Sequence, residues 1–248
     1  MSEKAVSIKE LDFRYDGQKV NCFSNLNLDI NAGDRFGLFG PNGAGKTTLM
    51  NCMTGLLDFQ HGSIRLLGNE IIPHKKYVNK FFGLVPQDFS FYEELSPAEN
   101  MEFFGAWAGL QKRESKKRTT ELLEVLGLTE VRNKQVQQFS GGMKRRVNLA
   151  IAVMHNPAIL FLDEPTVGVD VQSRHAIIGY LKELNNNGTT LIYTSHQLNE
   201  AEDLCTTIAL IDEGKILAHD KLSHLLLEHS QDGLEGLFIN LTGKAYRD

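Results

Sequence analysis

The sequence is short of several things, and each shortage excludes a class of protein. It has three cysteines, Cys22, Cys52 and Cys205, far apart along the chain. They form neither a zinc-ligand spacing nor a redox pair, so they read as small core or surface residues in a reducing compartment. There is no excess of positive charge. Lysine and arginine number 26 against 31 aspartates and glutamates, a formal net charge of −5, and no basic tail is present. General nucleic-acid binding needs a strong positive footprint, so nucleic acid is not an expected partner. No apolar run approaches the ~18 residues of a membrane span, and the opening MSEKAVSIKE carries no apolar signal region. If the protein works at a membrane, another chain is expected to supply the spans. What remains, 248 residues with 42% hydrophobic content, fits one large α/β domain or a core with a smaller subdomain.

What is there is organised around Gly40-Pro41-Asn42-Gly43-Ala44-Gly45-Lys46-Thr47-Thr48, which fits the phosphate-binding pattern G-x-x-x-x-G-K-[ST]. Arg35 to Phe39 predicts a short buried strand before it. Lys46 to Met53 predicts a helix after it, ended by Gly55. Glycine at 40, 43 and 45 lets successive N–H groups converge on one anion, and the helix dipole adds partial positive charge at the same point. Lys46 can reach the β- and γ-phosphates of a nucleotide, and the Thr47 hydroxyl can ligate Mg²⁺. The alternative, a Gly-rich turn that binds nothing, does not account for the full pattern in this strand-to-helix context.

The other motifs are ambiguous one at a time. Val6, Ile8, Leu11 and Phe13 predict a strand broken at Asp16-Gly17, with Tyr15 at its end either half-buried in the sheet or offering an adenine ring a flat surface. Leu26 to Ile30 and Ser63 to Leu67 predict further strands. Phe82 to Val85 predicts a buried strand that delivers Gln87 to its C-terminal end, where ligands of open α/β sheets gather; a solvent-facing turn glutamine is the equal alternative. From Phe89 to Gln138 strand signals disappear, and a helical insert is expected, with a helix from Ser115 to Leu126. The run Lys112 to Arg118 reads as a solvated helix start and face, with a membrane-surface role the weaker reading.

Ser140 can cap a helix running to Asn156-Pro157, and Ser140-Gly141-Gly142 is a second candidate phosphate cradle or an ordinary helix start. Ile159 to Leu162 is an apolar run ending in Asp163-Glu164. Two carboxylates at the end of a buried strand are costly without work to do, and here the aspartate can hold Mg²⁺ while the glutamate polarises a water. Asp170 precedes a helix expected to reach Asn187-Gly188. Thr190 to Thr194 predicts a strand that delivers His196, either a phosphate contact or a structural histidine. Thr207 to Ile211 and Ile216 to Ala218 predict a hairpin, followed by a helical tail.

Together these stretches resemble the ATP-binding cassette of ABC transporters, in that family's order and over nearly the whole chain. Gly40 to Thr48 is similar to the Walker A loop and Gln87 to the Q-loop. Ser140-Gly141-Gly142 matches the signature core, and Ile159 to Glu164 matches Walker B with its adjacent glutamate. Asp170 matches the D-loop, His196 the switch histidine, and Tyr15 the adenine-stacking aromatic. Two departures stand out. Phe139 and Met143 replace the usual Leu and Gln of the signature, so position 143 offers no polar side-chain contact, and Val167-Gly168-Val169-Asp170 replaces the commoner Ser-Ala-Leu-Asp. Gly-Gly-Met-Lys-Arg-Arg, Gly-Val-Asp and the tail at 234–243 look most like cassettes of ABC-2-type exporters.

The resemblance implies a fold: an α/β P-loop NTPase core with a mainly parallel sheet, an N-terminal antiparallel β subdomain and a helical insert. Residues 1–88 and 157–220 would form the core, 89–156 the insert with the signature helix, and 221–248 a tail. It implies ATP and Mg²⁺ as cofactors, with Thr47, Gln87 and Asp163 around the metal and Glu164, His196, Lys46 and Gln87 in catalysis. Tyr15, Gly40 to Thr48, Ser140 to Gly142 and Asp170 would bind nucleotide. The implied partners are a separate transmembrane permease and a second cassette, and the implied place is cytoplasmic, peripheral at the inner face of the cell membrane. A soluble cassette ATPase of DNA repair or translation is the alternative. It usually carries two cassettes or long coiled-coil insertions, and neither is present. A P-loop kinase is disfavoured by the signature and by Glu164.

Overall fold

The computed structural model describes residues 3–72, 81–195 and 198–243. These form two units, one from 3–72, 190–195 and 198–243, the other from 81–189. In the first, strand β1 (Lys4–Phe13) pairs antiparallel with β2 (Phe23–Asn31) and with β4 (His61–Leu66), and β5 (Asn69–Glu70) extends the sheet to the order β2-β1-β4-β5. The buried positions of β1 are out of phase with a plain strand. Val6 and Ile8 are two apart, but Leu11 follows Ile8 by three. A register shift between Ile8 and Leu11, with Glu10 at φ 50°, takes up the extra residue and returns Leu11 and Phe13 to the buried face.

The same unit carries β3 (Arg35–Phe39), parallel to β8 (Thr190–Ser195) and to β9 (Thr207–Asp212), with β10 (Lys215–Lys221) antiparallel on β9. Every residue of β8 is buried, and so are all but the first of β3, as expected of strands covered on both faces. Helix α1 (Lys46–Met53) follows β3. Helices α6 (Leu198–Leu204), α7 (Leu222–Glu228) and α8 (Leu234–Thr242) complete the unit, with the Glu202 carboxylate accepting from the Leu234 N–H at 2.6 Å at the start of α8.

The second unit holds β6 (Phe82–Val85), parallel to β7 (Ile159–Asp163), together with α2 (Pro97–Trp107), α3 (Lys112–Val125), α4 (Gly141–Ala152) and α5 (Val171–Asn186). Ser96 and Glu99 form a capping box at the start of α2, with Pro97 in its first turn. Helix α3 starts three residues before the predicted Ser115, and Val125 at its end is 53% exposed, so it does not join the apolar face with Leu122 and Leu123. Helix α4 stops at Ala152, short of the predicted Asn156-Pro157. Arg118 Nη2 donates to the Val153 carbonyl and the His155 ring donates to the Phe82 carbonyl, so side chains from elsewhere fix the segment after α4. The architecture is a P-loop-like α/β fold with an N-terminal antiparallel sheet, mainly parallel core strands and helical insertions.

Candidate nucleotide site

The loop between β3 and α1 is shaped by what has no room to be there. Gly45 is the N-cap of α1 at φ 105°, and a Cβ on it would lie 2.7 Å from the Phe23 ring. A Cβ on Gly40 would lie 2.0 Å from the Ile211 carbonyl oxygen. Only glycine fits either position. Helix α1 has no side-chain cap hydrogen bond at Gly45 and no acidic residue in its first turn, so the positive end of its dipole favours an external anion. Lys46 is buried, and its Nζ donates to the carbonyls of Gly40 at 2.7 Å and Pro41 at 3.1 Å. The loop's own backbone thus holds the ammonium at the cradle. Thr47 is exposed beside it, and the Thr48 hydroxyl shares a hydrogen bond of 2.8 Å with the Tyr15 hydroxyl. Tyr15 stands edge-on to Phe13 at 4.8 Å and is 45% exposed, which leaves a ring face open at the rim of the loop. This donor set fits a polyphosphate attached to a flat base. Nearby, burial pushes the Cys22 thiol up and the Cys52 thiol to about 12, so neither is a nucleophile at neutral pH.

In the second unit the ends of β6 and β7 carry the next group. Asp163 closes β7, and Glu164 follows at φ 49°, both buried. A buried glutamate in the left-handed region is strained backbone of the kind that concentrates at functional sites. Gln87, two residues past β6, donates from Nε2 to Glu164 Oε2 at 3.2 Å. The structure therefore brings together two predicted site residues 77 positions apart.

The third group is a pair of helix starts. Ser140 Oγ accepts from the Met143 N–H at 3.3 Å to cap α4, and Asp170 Oδ1 accepts from the Ser173 N–H at 2.9 Å to cap α5. The backbone hydrogen bond from Ser173 holds the Asp170 carboxyl below its usual range. A Cβ on Gly142 would lie 3.0 Å from Ser173 Oγ and 3.2 Å from Asp170 Oδ2, so the two helix starts abut at the signature glycines. His196 lies outside the described residues.

Two residues that the sequence did not single out hold this arrangement. Arg145 on α4 is buried and donates from Nη1 to the Gln87 carbonyl at 2.5 Å, with its guanidinium 4.8 Å from the centre of the Phe89 ring. Burial pulls its pKa down, while the carboxylates of Asp88, Glu164 and Asp163 oppose the shift. Asn148, one turn further along α4, accepts from the Ser90 N–H and donates to the Pro86 carbonyl, both at 3.4 Å. A helix that starts at the signature thus grips the segment that carries Gln87. Among the described residues no cluster of three or more His, Cys, Asp or Glu side chains could hold a metal, so a metal here would draw most of its ligands from phosphate, water and hydroxyl. Nor, among them, is any helix long and apolar enough to cross a membrane.

The model of the ABC transporter family matches residues 23–167. The linearmycin resistance ATP-binding protein LnrL of Bacillus subtilis is 43% identical over 200 residues, which cover 81% of this chain and 64% of LnrL. The daunorubicin resistance ATP-binding protein DrrA3 of Streptomyces coeruleorubidus is 34% identical over 235 residues, 95% of this chain and 74% of DrrA3. The solved structure of an ATP-binding subunit of an ABC transporter superposes with a TM-score of 0.88 at 26% identity, covering 96% of this chain and 99% of that one. A dimeric ATP-binding cassette in a post-hydrolysis state, bound to ADP and phosphate, superposes at 0.80 with 27% identity over 88% of this chain and 98% of that one. With the loop, the Gln87–Glu164 contact and the signature helix all in place, the chain belongs to the ABC transporter family, as an ATP-binding and ATP-hydrolysing subunit.

Proposed function

We propose that this chain powers an exporter of antibiotic-like small molecules, acting with a separate transmembrane permease and a second cassette. The contact between Gln87 and Glu164 carries the hydrolytic part of this reading, because it sets a carboxylate able to polarise water beside an amide side chain two residues past the end of β6. The resistance functions in the names of LnrL and DrrA3 support export, and the dimeric cassette bound to ADP and phosphate supports pairing.

In this reading Lys46 and the N–H groups of Gly40 to Thr48 take the β- and γ-phosphates, and Tyr15 stacks on the base. Ser140, Gly141 and Gly142 meet the γ-phosphate bound by the opposite cassette, with Asp170 beside them. Thr47, Gln87 and Asp163 would hold Mg²⁺, which supplies charge neutralisation between the phosphates. Glu164 orients or deprotonates the attacking water, and His196 stabilises developing charge on the γ-phosphate. The division into a core of 1–88 and 157–220, an insert of 89–156 and a tail of 221–248 belongs to the same proposal. So does a peripheral place at the inner face of the cell membrane.

The permease is proposed to dock on the segment after Gln87. Phe89 and Phe91 stack at 5.3 Å, and Tyr92 packs edge-on to Phe103 at 5.2 Å, with Phe89, Tyr92 and Phe103 all exposed. Half-exposed rings of this kind serve as anchors in interfaces. Glu164→Gln tests the chemistry. It keeps the size and hydrogen-bonding capacity of the side chain and removes the carboxylate, so ATP binding should persist, hydrolysis should collapse, and an ATP-bound dimer should accumulate on size exclusion. Near-normal turnover by this variant would remove Glu164 from its role.

A further inference from the structure

The chain has a single tryptophan, and it is in the open. Trp107 ends α2 and is 70% exposed. One turn earlier on the same face stands Phe103, 47% exposed, which packs against Tyr92 and Phe104 at 5.2 and 5.3 Å. Past the corner at 108–111, α3 begins with Lys112, Arg113 and Lys116, all exposed. With about 100° per residue, these three side chains span roughly 100° of the helix surface. Glu114 points away from that sector, Arg118 and Glu121 pair with each other at 3.3 Å on the far side, and Lys117 at its edge pairs with Glu121 at 3.7 Å. Of the acids near this surface, Glu99 is engaged in the capping box at the other end of α2. Glu102 is half-buried beside Phe103, and Glu124 lies two turns further along α3.

We propose that this corner is a lipid contact: Trp107 sits at the headgroup level of an anionic membrane, and Lys112, Arg113 and Lys116 meet its phosphates. Two arguments select a membrane over other partners. A tryptophan ring flanked by lysine and arginine is the side-chain chemistry of the bilayer interface, where the ring takes the acyl boundary and the cations take the headgroups. And the strip is continuous, through the Tyr92–Phe103 contact, with the aromatic segment proposed above to dock on a permease, so Trp107 would lie at the margin of that dock, where lipid begins. The second of these arguments rests on the permease dock proposed above; the first does not, and neither needs ATP hydrolysis.

Trp107 is its own probe. The full chain is titrated with vesicles of phosphatidylglycerol mixed into phosphatidylcholine, and with phosphatidylcholine alone, while emission is followed. The anionic vesicles should shift emission to the blue, the neutral ones should not, and salt at about 1 M, where the screening length falls to about 3 Å, should reverse the shift. Charge reversal in the triple variant K112E/R113E/K116E should weaken partitioning by about tenfold or more, since each basic side chain contributes separately to attraction by an anionic surface. Trp107→Phe should weaken vesicle co-sedimentation while leaving the fold intact by circular dichroism. Emission unmoved by anionic vesicles overturns the proposal. So does an equal shift with neutral vesicles, or a shift that appears only in membranes containing the permease, which would make this a protein dock. Nucleotide binding measured on the same samples separates the two readings: its loss would count against the ATPase and leave the lipid contact standing.

Discussion

Removing the Arg145 guanidinium should uncouple nucleotide binding from hydrolysis. Arg145 makes a short charge-assisted bond to the Gln87 carbonyl, reaches the Pro86 carbonyl at 3.4 Å and lies over Phe89. A hydrogen bond from a charged donor is worth about 1.5–3 kcal/mol, and a cation over an aromatic face about 0.5–1 kcal/mol. Arg145→Met keeps the aliphatic bulk and loses both, so the segment at 86–89 should be loosened by about 2–4 kcal/mol. For a chain of this size, that corresponds to a fall in melting temperature of roughly 5–15 °C if the segment melts with the rest, and less if it frays alone. Gln87 would then spend less time at Glu164, and an added cost of about 1.4 kcal/mol to restore that geometry lowers the chemical step about tenfold. The phosphate loop belongs to the other unit and the Arg145 partners named here all belong to its own, so ATP affinity should stay within about twofold, a difference of roughly 0.4 kcal/mol. Arg145→Lys should recover the carbonyl contact but not the planar stack, and fall between the two. The assay is single-turnover hydrolysis beside equilibrium nucleotide titration and thermal melting. Full turnover in Arg145→Met, at whatever stability, would refute the claim that α4 positions Gln87.

Two further outcomes follow from the geometry. Gly40→Ala places a methyl group against the Ile211 carbonyl, and because backbone and not a flexible side chain must give way, it should cost about 1–3 kcal/mol or more and weaken ATP-induced thermal stabilisation; unchanged melting with and without ATP would contradict the crowding. Burial holds the His155 imidazole below its usual range against the opposing Phe82 hydrogen bond, so the unfolded chain takes up a proton that the folded chain resists: its contribution is intact above about pH 6.5 and is lost as pH falls through the folded value. His155→Gln should therefore lose less melting temperature than the parent between neutral pH and pH 5, and parallel curves would rule this out, since His219, shifted the same way, is present in both.

Local signals in the sequence located the elements they could reach. β3, α1 and β6 lie at the predicted residues because each is a short apolar or glycine-bounded segment whose limits are written next to it. The bulge in β1 was not legible, since nothing at Glu10 announces a positive φ; only the three-residue step between Ile8 and Leu11 hints at it. Asn156 and Pro157 are the local stop signals for α4, but the helix ends at Ala152, just before the Val153 carbonyl that accepts from Arg118, a contact 35 positions away in sequence. The candidate site shows the same division. Spacing brings Gln87 and Glu164 forward as candidates and the structure puts them in contact, but the run Lys144-Arg145-Arg146 looks like one basic cluster and is three separate devices. Lys144 pairs with Glu93 at 2.5 Å, Arg145 turns inward to Gln87, and Arg146 donates to the Leu126 carbonyl at 2.9 Å. Burial, which sequence spacing alone does not give, separates the positioning residue from its neighbours.

The abutting starts of α4 and α5 give the signature a physical reading that does not depend on its match to any pattern. Both helices present partial positive charge at this point, and two such ends side by side repel. Asp170 answers that for α5: it takes the Ser173 N–H and keeps its charge at lower pH than an ordinary aspartate. Ser140 answers only part of it for α4, because one hydroxyl takes the Met143 N–H and supplies no charge. Helix α4 has no acidic residue in its first turn, so the field at Gly141 and Gly142 is left to be met by an anion from outside. Gly142 is glycine for a second reason, since Ser173 and Asp170 leave no room for a side chain. The close packing that requires Gly142 also brings the Asp170 carboxylate beside the start of α4, so a change at Asp170 should act on α4 as well as on the helix it caps. Met143 fits this scheme without a polar side chain, because its contribution to the cap is its backbone N–H, which any residue but proline can supply.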